Sequence, residues 1–200
     1  MQIIKSVSDD QVEIIENIMK LNQLDRFDID VTYGNGQFWK KLPKPVYCFD
    51  IDDNLPDAMC YASDDLPFDD STLGSMMFDP PFLTYVRAAR GGNGEMVMAK
   101  RFSGYWKYSE LEEHYRNTIN EAARVISHKG IMVIKCQDII HNHKMHCTHV
   151  NVINWAKDNF RLKDLFILQA KHRMPSPNRK GVQKHARVFH SYFLVLERLK

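Results

Sequence analysis

The chain has 200 residues, of which 44% are hydrophobic and 26% charged, a composition typical of one ordinary globular domain. Its net charge is only +2, no apolar run approaches the roughly 18 residues of a membrane span, and its first residues, MQIIKSVSDDQVEII, hold no signal-peptide core. Its four cysteines form no CxxC pair and no disulfide framework. We therefore exclude collagen-like, disordered and disulfide-scaffold classes, and expect a single cytoplasmic domain over residues 1–200.

Hydrophobic periodicity predicts one helix and three strands in the first half of the chain. The helix begins at a cap formed by Ser8 or Asp9. The third strand ends where two prolines follow it, because proline cannot continue a strand. The predicted elements are a helix over Asp9–Leu21 and strands over Phe27–Thr32, Pro45–Ile51 and Gly74–Phe78.

The second half of the chain continues the alternation of helices and strands. Ser109 is expected to cap its first helix, and Lys129-Gly130 to end it. The predicted elements are helices over 109–127 and Val150–Phe160 and strands over Ile131–Ile134, Leu165–Ala170 and Tyr192–Leu196. This order predicts an α/β fold with a mostly parallel sheet, whose last two strands pair antiparallel at one edge.

Two possible ligand-binding features follow the first two strands, where the crevice of an open α/β sheet lies. Gly34-Asn35-Gly36 is a turn that lets backbone approach a ligand, although a tight turn with positive φ explains it equally well. Asp50 stands where an acid binds ribose hydroxyls in nucleoside-binding sheets. The absence of a full GxGxxG motif argues against a dinucleotide cofactor.

The sequence Asp79-Pro80-Pro81-Phe82 is the strongest chemical signal of the chain. Its double proline donates no backbone hydrogen bonds, so the turn presents carbonyls beside a carboxylate. Such a rim of acceptors is complementary to an exocyclic amine, and Phe82 offers a face on which a flat ring can stack. The alternative is a rigid turn with a buried phenylalanine.

Several segments together resemble the class I S-adenosylmethionine-dependent amino-methyltransferases. They are YGNG after the first strand, Asp50 after the second, DDLPFDD (64–70), DPPF (79–82), INEAARVISHKGIMVIKCQD (119–138) and the closing SYFLVLER. The resemblance covers nearly the whole chain from Phe27 onward. It implies a Rossmann-like, doubly wound sheet with an antiparallel edge strand.

The resemblance also implies roles for individual residues. Four residues would hold the methionine part of S-adenosylmethionine: Asp30, Tyr33, Gly34 and Gly36. Asp50 would bind the ribose, and Asp64 would reach the adenine, although Asp65 is equally placed. Two departures are Phe82, where many members have tyrosine, and the lack of a large separate target-recognition domain.

The family chemistry implies a mechanism without a metal or a covalent enzyme intermediate. Asp79 and the Pro80 carbonyl would accept the hydrogens of an exocyclic amine, which then attacks the sulfonium methyl. An aspartate as the first residue of the motif favours adenine N6 in DNA. Two alternatives are an RNA amino-methyltransferase acting on adenine N6 or guanine N2, and a catalytically silent nucleic-acid-binding subunit.

Two segments with cations are candidates for contact with nucleic acid. The loop 83–107 combines glycines, cations and aromatics, and the segment 171–190 belongs to a stretch without acids between Asp164 and Glu197. The alternatives are a loop whose aromatics pack on the core and a solvated basic loop. The candidate residues are Arg87, Arg90, Lys100, Arg101, Tyr105 and Trp106 in the first segment and Arg179, Lys180, Lys184 and Arg187 in the second.

A cluster of histidines raises the question of zinc. It consists of His141, His143, His146 and His149 with Cys147. This spacing lacks the separated ligand pairs of a structural zinc site, so we expect a polar loop before a helix and no metal.

Overall fold

The computed structural model describes residues 3–82, 84, 105, 107–171 and 182–200. Its strands are β1 (Val7–Ser8), β2 (Ile29–Asp30), β3 (Tyr47–Asp50), β4 (Met59–Cys60), β5 (Leu73–Phe78), β6 (Ile126–Cys136), β7 (Ile139–His141), β8 (Lys144–His146), β9 (Phe160–Gln169) and β10 (His190–Arg198). Its helices are α1 (Gln11–Leu21), α2 (Tyr108–Val125) and α3 (Thr148–Ala156), with a short 3₁₀ helix over Gln37–Lys40. No helix within the described ranges is long and apolar enough to cross a membrane.

Eight strands form one sheet in the order β1-β9-β10-β6-β5-β2-β3-β4. The pairs from β6 to β4 are parallel, and β10 is antiparallel to both β6 and β9. The mostly parallel α/β sheet is therefore confirmed, as is the antiparallel pairing of the last two strands. Their expected position at an edge was wrong, because β10 lies inside the sheet and β1 pairs with β9 on the outside.

The helix starts differ slightly from those predicted. Asp10 caps α1, because its side chain accepts a hydrogen bond from the backbone N–H of Val12 at 2.8 Å. Ser8 instead accepts from the N–H of Asp10. The second long helix begins at Tyr108, so Ser109 lies inside its first turn and does not cap it.

Strand β6 is much longer than predicted and starts directly where α2 ends. Lys129-Gly130 does not terminate the helix; it lies within the strand, where Lys129 has a φ of 66° and the register against β5 shifts. A Cβ at Gly130 would stand 2.6 Å from Cγ2 of Ile126 and 2.8 Å from the carbonyl oxygen of Gly74. Close packing by a side chain and by the backbone of the neighbouring strand, rather than a helix stop, is thus the reason for this glycine.

The two faces of the sheet bury separate apolar clusters. One cluster joins α1 and the 3₁₀ helix to the sheet: Ile14, Ile15, Ile18, Met19, Phe27, Trp39, Leu42, Met77, Ile131, Val133, Phe166, Phe193 and Val195. The other, which is larger, packs α2 and α3 against the opposite face. Because side chains alternate along a strand, this division also decides which face each residue at a strand end points to.

Candidate active site

The parallel strands β2, β3, β5 and β6 place their carboxyl ends at one edge of the sheet. Three of the predicted acids lie at this edge. Asp30 is the last residue of β2, Asp50 is the last residue of β3, and Asp79 follows β5. The fold therefore brings together acids that stand far apart in the sequence, in the region where open α/β sheets bind ligands.

The glycine turn after β2 is tied to the end of β3. The N–H of Gly34 donates to Asp50 Oδ2 at 2.8 Å, and the N–H of Asp52 donates to Asp50 Oδ1 at 3.0 Å. Gly34 and Gly36 have φ angles of 53° and 64°, so the turn does need the conformational freedom of glycine. A Cβ at Gly34 would meet no atom within 4 Å, which leaves open space beside the half-buried Asp50 carboxylate.

Asp30 lies deeper than the glycine turn and is 2% exposed. Its Oδ2 accepts from the indole N–H of Trp39 at 2.7 Å, and its Oδ1 accepts from the N–H of Thr32 at 2.9 Å. Burial raises the pKa of Asp30 to about 7, and these hydrogen bonds oppose the rise. Both oxygens are thus bound by donors of the chain itself, and a contact with the methionine part of a cofactor stays a prediction.

Tyr33 packs beside the glycine turn. A Cβ at Gly36 would stand 2.6 Å from the Tyr33 hydroxyl, and the Lys44 ammonium lies 5.2 Å from the centre of the Tyr33 ring. Burial raises the pKa of the Tyr33 hydroxyl. The ring therefore requires a glycine at position 36 for steric reasons, whereas its role toward a cofactor stays a prediction.

Asp79 is held by its backbone and by its side chain. Its N–H donates to the hydroxyl of Thr32 at 2.7 Å, which links the ends of β2 and β5. Its Oδ2 accepts from the Lys135 ammonium at 3.3 Å. Burial raises the pKa of Asp79, and Lys135 opposes that rise. Behind Asp79, Pro80 is buried, while Pro81 and Phe82 are half-buried.

Lys135 is a residue that the sequence reasoning missed. It is the only charged residue in the run 131–136 (IMVIKC) of β6, and its side chain is only 11% exposed. A cation in an otherwise apolar strand, one residue before the end of that strand, was the signal that could have revealed it, because a buried charge needs a partner.

His114 of α2 is a second residue that the sequence analysis did not identify. Its Nε2 lies 2.8 Å from the hydroxyl of Ser63, and its Nδ1 is hydrogen-bonded to the hydroxyl of Tyr105. Burial lowers the pKa of His114. Asp64, next to Ser63, is exposed and lies within 3.5 Å of the Asn117 amide. His114 thus links Ser63, the sequence neighbour of the predicted adenine-binding acid, to Tyr105 of the loop that follows the DPPF motif.

The predicted nucleic-acid contacts are only partly described by the structure. Tyr105 packs against the core, as in the alternative interpretation of its loop. Lys184 and Arg187 are exposed, and the Arg187 guanidinium lies 5.7 Å from the ring centre of Phe189. The remaining candidates lie outside the described residues: Arg87, Arg90, Lys100, Arg101, Trp106, Arg179 and Lys180.

Three histidines of the cluster, His141, His143 and His146, lie in a β-hairpin and not in the polar loop that was expected, whereas His149 lies in α3. His141 ends β7, His146 ends β8, and α3 begins two residues later. The Nδ1–H of His149 donates to Oδ1 of Asp138 at 2.7 Å, and the His149 ring stacks on Tyr192 with ring centres 4.1 Å apart. Within the described residues, no group of three or more histidine, cysteine or acidic side chains could hold a metal ion.

Comparisons with known proteins identify the fold. No protein-family model matches the sequence, and no curated protein matches it. A S-adenosylmethionine-dependent methyltransferase from Methanosarcina mazei superposes with a TM-score of 0.53 at 10% identity, covering 91% of this chain and 97% of that chain. A candidate type 11 methyltransferase from Sulfolobus solfataricus gives 0.50 at 16% identity, covering 96% and 94%.

A candidate DNA modification methylase from Thermus thermophilus gives a TM-score of 0.47 at 14% identity, covering 70% of this chain. The chain spans about half the length of that protein, 52%. At such low identities, the two higher-scoring likenesses show the fold: this chain has the Rossmann-like fold of class I methyltransferases, as predicted.

Proposed function

We propose that this protein is an S-adenosylmethionine-dependent amino-methyltransferase that acts on an exocyclic amine of a nucleobase, adenine N6 in DNA. The observation that carries the proposal is the position of Asp79-Pro80-Pro81-Phe82. In a class I methyltransferase fold, this motif directly follows β5, beside the strand ends that carry the glycine turn and Asp50. The acceptors for an amine and the acid for a ribose therefore share one edge of the sheet.

The residues at the end of β3 are suited to the nucleoside part of the cofactor. A carboxylate has about four lone-pair sites, and Asp50 uses its two oxygens to accept one backbone N–H each. Sites remain for two ribose hydroxyls, and the open space at Gly34 lets a ligand approach. When bound, S-adenosylmethionine supplies an electrophilic methyl group on its sulfonium.

The motif after β5 prepares the amine. The Asp79 carboxylate and the Pro80 carbonyl are acceptors, and each can accept one hydrogen bond from an exocyclic amine. Two such hydrogen bonds draw the nitrogen lone pair out of conjugation with the ring, so that it becomes available for methyl transfer. Phe82 is half-buried and offers one face to the ring, a contact worth about 1–3 kcal/mol per base. Positioning is thus the main contribution of the protein.

The choice of adenine rests on the resemblance of the motif, because the acceptors alone fit more than one base. Adenine and cytosine present an exocyclic amine beside a ring nitrogen, and an aspartate at the first position of the motif is the form that resembles the adenine-N6 enzymes. A base in a duplex would have to leave the stack to reach this edge, at a cost of a few kcal/mol. The exposed cations Lys184 and Arg187 are proposed to contribute phosphate contacts.

Incubation with labelled S-adenosylmethionine tests the proposal. Separate pools of unmethylated DNA and RNA are offered, digested to nucleosides and analysed by mass spectrometry, with the Asp79→Ala variant as the inactive control. We expect N6-methyldeoxyadenosine from the DNA pool. A methyl group on cytosine N4, on guanine N2 or on RNA alone would contradict the substrate, and no methylated nucleoside from either pool would favour a silent binding subunit.

A further inference from the structure

Lys135 is the cation that faces Asp79, and we propose that it is a positioning residue for the methyl-transfer reaction. Its ammonium holds Oδ2 of the Asp79 carboxylate and leaves Oδ1 to accept a hydrogen of the target amine. The inference rests on the proposed function and deepens it, because it explains what favours the ionised form of the partly buried Asp79 carboxylate and what fixes its orientation.

The register of the sheet sets the two residues side by side. Phe78 of β5 pairs with Ile134 of β6, so the next residues along both strands, Asp79 and Lys135, point to the same face. Their charged atoms are 3.3 Å apart, and the two side chains are 23% and 11% exposed. Salt screens an ion pair with so little exposed surface only weakly, in contrast to ion pairs on the protein surface.

The Lys135 ammonium is also fixed from its other sides. It donates to Oε1 of Gln11, at the start of α1, at 2.9 Å. Three aromatic rings surround it, with ring centres at 4.8 Å for Phe38, 5.6 Å for Phe193 and 5.9 Å for Phe82. Cations are attracted to such ring faces within about 6 Å. Because helix, 3₁₀ turn and strand all contribute, the ammonium has little freedom to leave Asp79.

The charge of Lys135 matters because the other titratable groups around Asp79 do not favour a carboxylate. The charge of Asp79 raises the pKa values of Asp30 of β2, Cys136 of β6 and Tyr115 of α2, and none of these groups carries a positive charge. Burial raises the pKa of Asp79, and Lys135 lowers it. A protonated Asp79 would carry a donor on one oxygen and could no longer present acceptors alone to an amine.

The pH dependence of kcat distinguishes positioning from a merely structural role. We expect Lys135→Met to lower kcat at pH 7 by at least about tenfold and to move the acid limb of the profile up by about one pH unit or more, since a neighbouring cation lowers a carboxyl pKa by about 1–3. The KM for S-adenosylmethionine should change by less than about twofold. Lys135→Arg, which keeps the charge, should restore most of the activity and the profile.

A matched control is Lys163→Met. It removes a lysine that lies away from the site and whose ammonium is 3.5 Å from the Glu197 carboxylate. It should leave the profile unchanged. The proposal is overturned if Lys135→Met lowers kcat equally at every pH. It is also overturned if its effect lies in the KM for S-adenosylmethionine alone, which would assign Lys135 to the carboxylate of the cofactor.

A second measurement does not require turnover and separates this inference from the proposed function. Titration of the Asp79 carboxyl by ¹³C NMR, assigned with Asp79→Asn, should give a higher pKa in Lys135→Met than in the wild type. Should Lys135→Met not fold, Gln11→Leu removes the second partner of the ammonium and should raise the same pKa by a smaller amount. An unchanged titration refutes the inference even in an active enzyme. A raised pKa in Lys135→Met, together with a wild type that methylates no nucleobase, refutes the proposed function and leaves the control of the Asp79 carboxyl by Lys135 standing.

Discussion

Two neighbouring regions of the site hold an aspartate in opposite ways. At the ends of β5 and β6, Asp79 faces a buried ammonium enclosed by aromatic rings. At the end of β3, the half-buried Asp50 carboxylate faces two backbone N–H groups, those of Gly34 and Asp52. Both acids are partly buried, but Asp79 is paired with the full charge of a buried lysine, whereas Asp50 is held by peptide dipoles beside open space.

Under the proposed function, this difference predicts separate roles for the two acids at this edge of the sheet. In a low-dielectric environment, the charge state of an acid depends strongly on the neighbouring charges. Asp79 is therefore suited to a catalytic step whose rate depends on the orientation and ionisation of the carboxylate. An acid held by backbone dipoles stays available to hydroxyl donors of a ligand, so Asp50 is suited to binding. Substitutions in the two regions should therefore affect different quantities.

The largest effect is expected from Asp79→Ala. It removes an acceptor for the target amine, and a comparable loss of one preorganised hydrogen bond costs about 10²–10³-fold in kcat. The affinity for S-adenosylmethionine, measured by calorimetry, should stay within about twofold of the wild type. Asp70→Ala is the control, since it breaks an exposed aspartate–arginine pair of 3.0 Å. A full loss of cofactor binding in Asp79→Ala would contradict the prediction that, of the two regions, only the one at the end of β3 binds the cofactor.

The pH dependence of stability should come from Asp30, the buried acid at the end of β2, which lies between the two regions in the sheet. Asp30 has a pKa of about 7 in the folded protein against 3.8 in an unfolded chain, so the folded state binds the extra proton between these values. This contribution to stability is therefore present at low pH and lost as the pH rises towards 7. Between pH 5 and pH 7 the loss is about 2–3 kcal/mol.

Chemical denaturation of the wild type and of Asp30→Asn at several pH values measures this contribution. The difference between the two proteins is needed because His114 and His146, whose pKa values are lowered by burial, change stability in the opposite sense. A pH slope that is the same in both proteins would show that Asp30 titrates as an ordinary exposed acid.

A smaller effect is expected at the end of β3. Asp50→Ala should weaken the binding of S-adenosylmethionine by about 1.5–3 kcal/mol, the contribution of a hydrogen bond to a charged group. With saturating cofactor, kcat should stay close to that of the wild type. Asp52→Ala, in the next turn, is the control for calorimetry, because the Asp52 side chain caps Asn54 on the surface. An unchanged affinity in Asp50→Ala would contradict the assignment of ribose binding to β3.

The smallest effect is expected outside both regions. Neutralising Arg179, Lys180 and Lys184 together should weaken nucleic-acid binding for every sequence and flatten its salt dependence by up to about 0.9 in logarithmic slope per lost contact. Cofactor affinity and kcat with saturating DNA should not change, which would separate substrate binding from both aspartates. An identical salt slope would mean that this segment is only a solvated surface.

The sequence was informative where a pattern is long or chemically rare. The periodicity of α1 and α2 and the motif at Asp79 led to the correct elements and to a class I fold. The strands β1 and β4 have two residues each and, unlike the equally short β2, they do not lie in a longer alternating run from which a strand could be recognised. The hairpin of β7 and β8 was missed because its histidines suggested a polar loop.

The interior of the site could not be predicted for a different reason. The pair of Asp79 and Lys135 spans 56 residues of sequence, and it exists only because β5 and β6 run parallel in a fixed register. The bond from Trp39 to Asp30 similarly depends on how a 3₁₀ helix packs under a strand end. Composition and spacing describe the residues along the chain, whereas both of these contacts depend on how the strands and the 3₁₀ helix pack in three dimensions.

The interior position of β10 has a consequence for how the protein is made. On the ribosome, β6 and β5 are complete long before residues 190–198 emerge, but β9 and β1 can join them only through β10, which pairs with both β6 and β9. Nascent chains that stop short of β10 should therefore expose two open strand edges, a state that favours misassociation. Cotranslational folding of this sheet is expected to finish in a single late insertion step.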